Sequence, residues 1–228
     1  MRRFSCRSIF LVMLMATSIV ISAKDLTNRV FGFRMSIPDS FHEIAVGADE
    51  PDTLCKFVDR DPTPNEPATA IQVQRLHGII NWQQRLKLEE IPKIAGFSTT
   101  LEETTWSGMN LDVIRQVASL PNQTQYVVYG IQFPLSDEAV QLHVGGPAEK
   151  DEEVRALFKT AVASFKNTKP LVGDPSAPTG RMLSNEERIS KLASGIARMA
   201  ITVVVLLLIV RAFTRSRRKN VPPKIEQR

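Results

Sequence analysis

Residues that could do chemistry are thinly spread along this chain. His42, His77 and His143 stand far apart, and none has the histidine four residues on, or the nearby cysteine, that a local zinc motif would supply. His143 lies between Leu142 and Val144, so on a strand it alternates away from their apolar face and reads as a surface or satisfied sheet histidine. The sequence has no G-x-S-x-G elbow, no phosphate-binding glycine loop and no H-E-x-x-H pair. No catalytic residue is assigned, and the chain is expected not to be an enzyme.

The loop Asp49-Glu50-Pro51-Asp52 and the stretch Asp59-x-Asp61-x-Thr63-x-Asn65 place oxygen atoms at alternating positions. A calcium loop needs a turn glycine and a closing glutamate, and the second stretch carries Pro62 and Pro64 instead. Solvated acidic loops are the expectation, with no metal and no other cofactor. Cys55 sits among Leu54, Phe57 and Val58 and reads as a small buried hydrophobe. The other cysteine, Cys6, precedes an apolar run and does not suit lipid modification. If the first residues are removed, no internal disulfide can form, so the core must hold the fold together.

The elements that would carry any site begin with two apolar segments. Ile9–Ile21 follows Arg2, Arg3 and Arg7 and precedes Ser22-Ala23, the layout of a signal peptide over residues 1–23. A retained N-terminal anchor is the alternative, and sidedness is the same in both cases. Near the other end, Ile196–Phe213 is apolar apart from Arg198 and Arg211. At ~1.5 Å per residue, a helix over Leu192–Phe213 would reach roughly 33 Å, enough for a bilayer core of about 30 Å. One C-terminal transmembrane helix is therefore expected, with Arg198 snorkelling to the outer headgroups.

Charge agrees with that orientation. Between Lys24 and Gly180, 15 Lys and Arg face 21 Asp and Glu, a net of −6, whereas the tail from Arg211 has a net of +6. Arg211, Arg215, Arg217, Arg218 and Lys219 are the topology-setting basic residues and place the C-terminus in the cytoplasm, with the main domain exported from a single-pass cell-membrane protein. They would also attract anionic membrane lipid. No aromatic interleaving or folded basic surface accompanies them, so nucleic acid is not an expected partner.

Residues 24–168 read as one exported domain. Val30–Ile37, Phe41–Val46, Thr53–Val58 and Ala70–Leu76 are strand-like runs, and Asn81–Ile94 carries helix formers up to Pro92. Phe97–Thr105, Met109–Ala118, Gln125–Phe133 and Ala139–Val144 are joined by short turn signals, which predicts an antiparallel meander. Glu149–Asn167 is the strongest helix, acidic at its start and with Lys159 and Lys166 toward its end. The fold class is α+β, an antiparallel sheet with helices packed on it. Residues 169–183 are a Pro/Gly-rich linker, residues 184–213 a stalk and span opening on the capping box Ser184–Glu187, and residues 214–228 a basic tail. Glu186, Glu187, Arg188 and Lys191 would keep the stalk solvated, and a cut near Gly180 is expected to release a soluble domain.

The pattern Phe33-x-Met35-x-Ile37-Pro38-Asp39-x-Phe41, the middle helix, the meander and the closing Val162-Ala-Ser-Phe165 resemble the PsbP-like superfamily over roughly residues 28–168. The resemblance implies an α/β/α sandwich used mostly for binding or assembly. The expected role is a membrane-tethered, non-catalytic module for an envelope protein partner. The competing class is a small-molecule or lipid receptor with an apolar pocket between sheet and helices.

Overall fold

The computed structural model describes residues 22–61, 67–93, 95–119, 124–136, 138–169, 181–196 and 198–199. Of the expected signal peptide over residues 1–23 only Ser22 and Ala23 are described, and of the expected spanning helix over Leu192–Phe213 only residues 192–196 and 198–199; the basic residues Arg211, Arg215, Arg217, Arg218 and Lys219 lie outside the described residues. Among the described residues no helix is long and apolar enough to cross a membrane.

The strands are β1 (Ala23–Asn28), β2 (Phe33–Pro38), β3 (His42–Ile44), β4 (Thr53–Val58), β5 (Ala70–Leu76), β6 (Phe97–Trp106), β7 (Met109–Ser119), β8 (Gln125–Pro134), β9 (Ala139–Pro147) and β10 (Lys166–Asn167). Helix α1 is Asp151–Ser164, and helix α2 runs over 185–196. Seven strands pair antiparallel in the order β3-β4-β5-β9-β8-β7-β6, and β1-β2-β10 form a smaller sheet. The meander expected from alternation is the β6 to β9 half of the large sheet.

The two faces of the large sheet differ in chemistry. One carries the rows Phe57, Ile71, Val144, Tyr129 and Val73, Leu142, Ile131, Val113, each residue opposite the next on the neighbouring strand. On it α1 buries Val154, Phe158, Ala161 and Val162. Phe165 stacks on Phe133 at 4.0 Å and on Phe33 of the small sheet at 5.1 Å between ring centroids. This aromatic cluster is the main core, and burying each such ring stabilises the fold by roughly 1.5–3 kcal/mol.

The other face carries the rows Lys56, Gln72, His143, Gly130, Ile114 and Gln74, Gln141, Gln132. It is covered by α2, whose Ile189, Leu192, Ala193 and Ile196 are buried, as is Met199 in the helical residues 198–199. With a helix on each face, the architecture is an α+β sandwich built on an antiparallel sheet.

Three expectations are corrected. Among the described residues of Asn81–Ile94 there is only a single 3-10 turn, at Leu88–Glu90, because groups outside the segment take several of its backbone bonds. Arg188 donates to the carbonyls of Asn81 and Gln84, and the Asp112 carboxylate accepts the Leu86 N–H. Helix α1 stops at Ser164 rather than Asn167, and no basic residue stands in its last turn. Phe165 turns extended there so that its ring enters the core while Lys166–Asn167 pair with β2. Residues 185–196 are not a solvated stalk: Arg188 is 4% exposed, because the helix lies on the sheet.

Strand β1 was not foreseen. It pairs along β2 from Ala23 to Asn28, and the Asn28 side chain closes the turn by accepting the N–H groups of Val30 and Phe31 at 3.1 Å each. Gly32 completes that turn at a φ of 71°, which a glycine adopts without strain.

Candidate functional site

The singled-out residues do not converge. His77 meets Asp52 at 2.6 Å, His42 stands on the edge strand β3 at 3.5 Å from Asp61, and His143 is buried on β9. Among the described residues no three His, Cys, Asp or Glu side chains could hold one metal ion. The acidic loops spend their oxygens internally: Glu50 accepts from Lys56 at 2.5 Å and from Thr53 at 3.2 Å, and Asp59 accepts the Thr69 N–H at 2.9 Å. Residues 62–66, the middle of the second acidic stretch, lie outside the described residues. Cys55 is buried as expected, and burial pushes its thiol up to about 12, so it stays protonated and unreactive at neutral pH.

His143 departs from its expectation. It is neither at the surface nor satisfied: it is fully buried, and neither ring nitrogen has a hydrogen-bond partner among the described residues. Burial pushes its pKa down to about 3, which keeps the ring neutral. Two glycines make room for the imidazole. A Cβ at Gly130 of β8 would lie 3.0 Å from the His143 Cδ2, and a Cβ at Gly195 of α2 would collide with its Cε1.

Around it lies a buried polar seam between sheet and helix. Gln141 donates to Gln74 Oε1 at 2.6 Å and to the Lys191 carbonyl at 3.2 Å. Gln72 and Gln74 both donate to Thr53 Oγ1, at 3.0 and 3.3 Å, which a register shift between Thr53 and Cys55 allows. The side-chain oxygens of Gln72, Gln116 and Gln141 have no partner among the described residues.

Arg188 anchors this seam. Its Nη1 donates to the carbonyls of Gln84 at 2.7 Å and Asn81 at 3.2 Å and to Asn185 Oδ1 at 3.1 Å, and its Nε to Gln132 Oε1 at 3.3 Å. Each of these acceptors is neutral, and burial pulls the guanidinium below its ordinary pKa. The capping box foreseen in the sequence is formed: the Glu187 N–H donates to Ser184 Oγ at 3.2 Å and the Ser184 N–H to Glu187 Oε2 at 3.0 Å.

On the opposite face a second polar group ties α1 to the sheet. Tyr129 donates to Asp151 at 2.5 Å and accepts from Arg115 and Arg155 at 3.2 Å each, while Arg155 also reaches Glu102 at 2.6 Å. Burial raises the Asp151 pKa, but the bonds from Arg115 and Tyr129 outweigh it and hold the carboxyl below its usual range. Each arginine has a carboxylate, so the cluster reads as a structural clasp.

A hollow of about 230 Å³ lies among Val30, Phe31, Arg75, Ser136, Glu138 and Lys169. Arg75 pairs with Glu138 and stands 5.3 Å above the Phe31 ring. This hollow lies beside the β1–β2 turn and holds an ion pair, unlike the apolar pocket between sheet and helices that a receptor reading requires.

No protein-family model matches the chain, and no curated protein does. Among solved structures, it is similar to LpqN of Mycobacterium tuberculosis, described as involved in cell envelope biogenesis, at 15% identity over 60% of this chain and 83% of that one, with a TM-score of 0.43. It is similar to cyanobacterial PsbP (CyanoP) from Synechocystis sp. PCC 6803 at 10% identity over 66% of this chain and 95% of that one, with a TM-score of 0.45. A protein of Bacteroides thetaiotaomicron VPI-5482 matches at 11% identity and a TM-score of 0.43, over 64% of this chain and 48% of that one. These likenesses concern part of the fold and carry nothing about activity or partners.

Proposed function

We propose that the chain is a membrane-tethered, non-catalytic binding or assembly module, with its folded domain on the exported side of a cell membrane and its C-terminus in the cytoplasm. One observation carries the reading. The stripe Ile189, Leu192, Ile196 and Met199 that α2 buries on the sheet is followed in sequence by the apolar run to Phe213, with no polar spacer between.

The tether is thereby short. With α2 docked through Met199, the run Ala200–Phe213 would reach only about 21 Å as a helix, less than a bilayer core of about 30 Å. Local thinning and snorkelling of Arg198 and Arg211 would absorb the difference and hold the domain against the headgroups. Arg211, Arg215, Arg217, Arg218 and Lys219 fix the orientation and attract anionic lipid. A module held this close to the bilayer suits an envelope protein partner that is itself membrane-bound.

The test is an alkaline wash of native membranes followed by native mass spectrometry of the gently extracted full-length protein. Retention through the wash and a stoichiometric protein companion would support the reading. Release by the wash would sink the tether, and a bound low-mass ligand without a protein companion would replace the assembly role with a receptor.

A further inference from the structure

The two faces of the large sheet are covered on different terms. Under α1 lies an apolar surface that water would penalise heavily. On the face under α2 lie Gln72, Gln74, Gln116, Gln132, Gln141 and His143, all buried, beside Ile114, Tyr126 and Val128, which join the apolar stripe of the helix. Covering them leaves three amide oxygens and both imidazole nitrogens without partners among the described residues. A buried polar group without a partner opposes burial, so docking of α2 works against the hydration of this face while docking of α1 does not.

His143 is the group at which that opposition responds to conditions. Its ring is slotted between Gly130 and Gly195, directly in the contact between β9 and α2. Neutral glutamines face it from β5 and β9. The charged groups on α2 are Glu186, Glu187, Arg188, Lys191 and Arg198. Lys56 lies across Gln72 on β4, paired with Glu50, and Asp112 on β7 is bound to Arg85 at 2.5 Å. Asp112 and Glu103 are thus committed to Arg85 and Glu50 to Lys56, so the free acceptors described on this face are neutral amide oxygens, and none of them carries the charge that would offset an imidazolium in the slot.

We infer that α2 is an acid-released latch, closed over the neutral ring of His143 and freed when that ring takes a proton, which bares the glutamine-rich face of the sheet. The sign follows from linkage. Burial holds the docked ring at about 3, whereas a released ring would titrate near ~6.5, so docking is at full strength above that value and weakens as pH falls. Between pH 7.5 and 5.0 the docking equilibrium should fall about 30-fold.

Hydrogen exchange of the full chain in mild detergent, corrected for intrinsic rates, reads this directly. Amides of the helix over 185–196 should lose about 30-fold in protection between pH 7.5 and 5.0 while those of Asp151–Ser164 keep theirs, and His143→Gln should abolish the pH dependence. Unchanged protection of α2 in the wild type overturns the inference. So does a parallel loss in α1, which would mean that the whole domain opens, and so does the same loss in His143→Gln. If His143→Gln does not fold, His143→Asn takes its place, and the wild-type comparison of the two helices decides the matter without either variant.

Discussion

Gln132 and Arg188 bond to each other twice: the amide of Gln132 donates to the Arg188 carbonyl at 2.9 Å, and the Arg188 Nε donates to Gln132 Oε1 at 3.3 Å. The pair stitches α2 to β8, and the same guanidinium holds the loop at Asn81 and Gln84. Arg188→Met keeps the volume but strips these acceptors of their donor. It should weaken α2 docking by about 2–4 kcal/mol, as buried acceptors lose a charged donor. Hydrogen exchange at pH 7.5 checks it: protection over 185–196 should drop while that of Asp151–Ser164 holds, and an unchanged α2 would show the anchor to be unimportant.

Gly195 should resist its mildest substitution. In an exposed helix, Gly→Ala stabilises by about 1 kcal/mol. Here the new Cβ would collide with His143 Cε1 and lie 2.7 Å from Gln74 Oε1 and 2.8 Å from Gln141 Nε2. Overpacking of this kind costs about 1–3 kcal/mol, so Gly195→Ala should be a net loss. In a double-mutant cycle, His143→Ala should recover part of it, and strict additivity would show that the two residues do not share the slot.

Much of the fold was legible because period-2 alternation is a local signal. Thr53–Val58 and Ala70–Leu76 keep the bounds that alternation gives them, and the meander strands lie within a few residues of theirs. Asn81–Ile94 was not legible, because the groups that divert its backbone, Asp112 and Arg188, lie far along the chain. Leu192 and Ile196 were read into the span, because a bilayer and a sheet ask for the same residue types and spacing alone could not choose between them. Gln74, Gln132 and Gln141 carry no local sign of burial: alternation tells which side of a strand a residue takes, and only the tertiary contact tells what covers that side. His143 was assigned the correct side, and its burial comes from Gly195, 52 residues away.

Cys55 should be silent until the domain opens. It is 5% exposed, and its thiol is pushed up to about 12 first by burial and then by the nearby charge of Glu43. Alkylation by iodoacetamide at pH 8 should be negligible in the native protein and complete in denaturant. Modification at comparable rates in both states would mean that β4 is not held against β5 as described.

The boundary of the folded unit is the most practical consequence of α2. A fragment ending at Gly180 would contain every described strand and α1 but would expose Ile114, Tyr126, Val128, Leu86 and Ile91, which form one apolar cluster with Ile189, Leu192, Ile196 and Met199. A fragment ending at Met199 keeps that cluster and the bonds from Arg188. The longer fragment should therefore be the more stable by several times the ~1 kcal/mol of an average substitution, with a steeper chemical denaturation because its unfolding exposes more surface. Residues 22–199 should run as a monomer, whereas residues 22–180 should associate through the bared face. Equal midpoints and slopes for the two fragments would mean that α2 adds nothing to the domain and that the folded unit closes before Gly180.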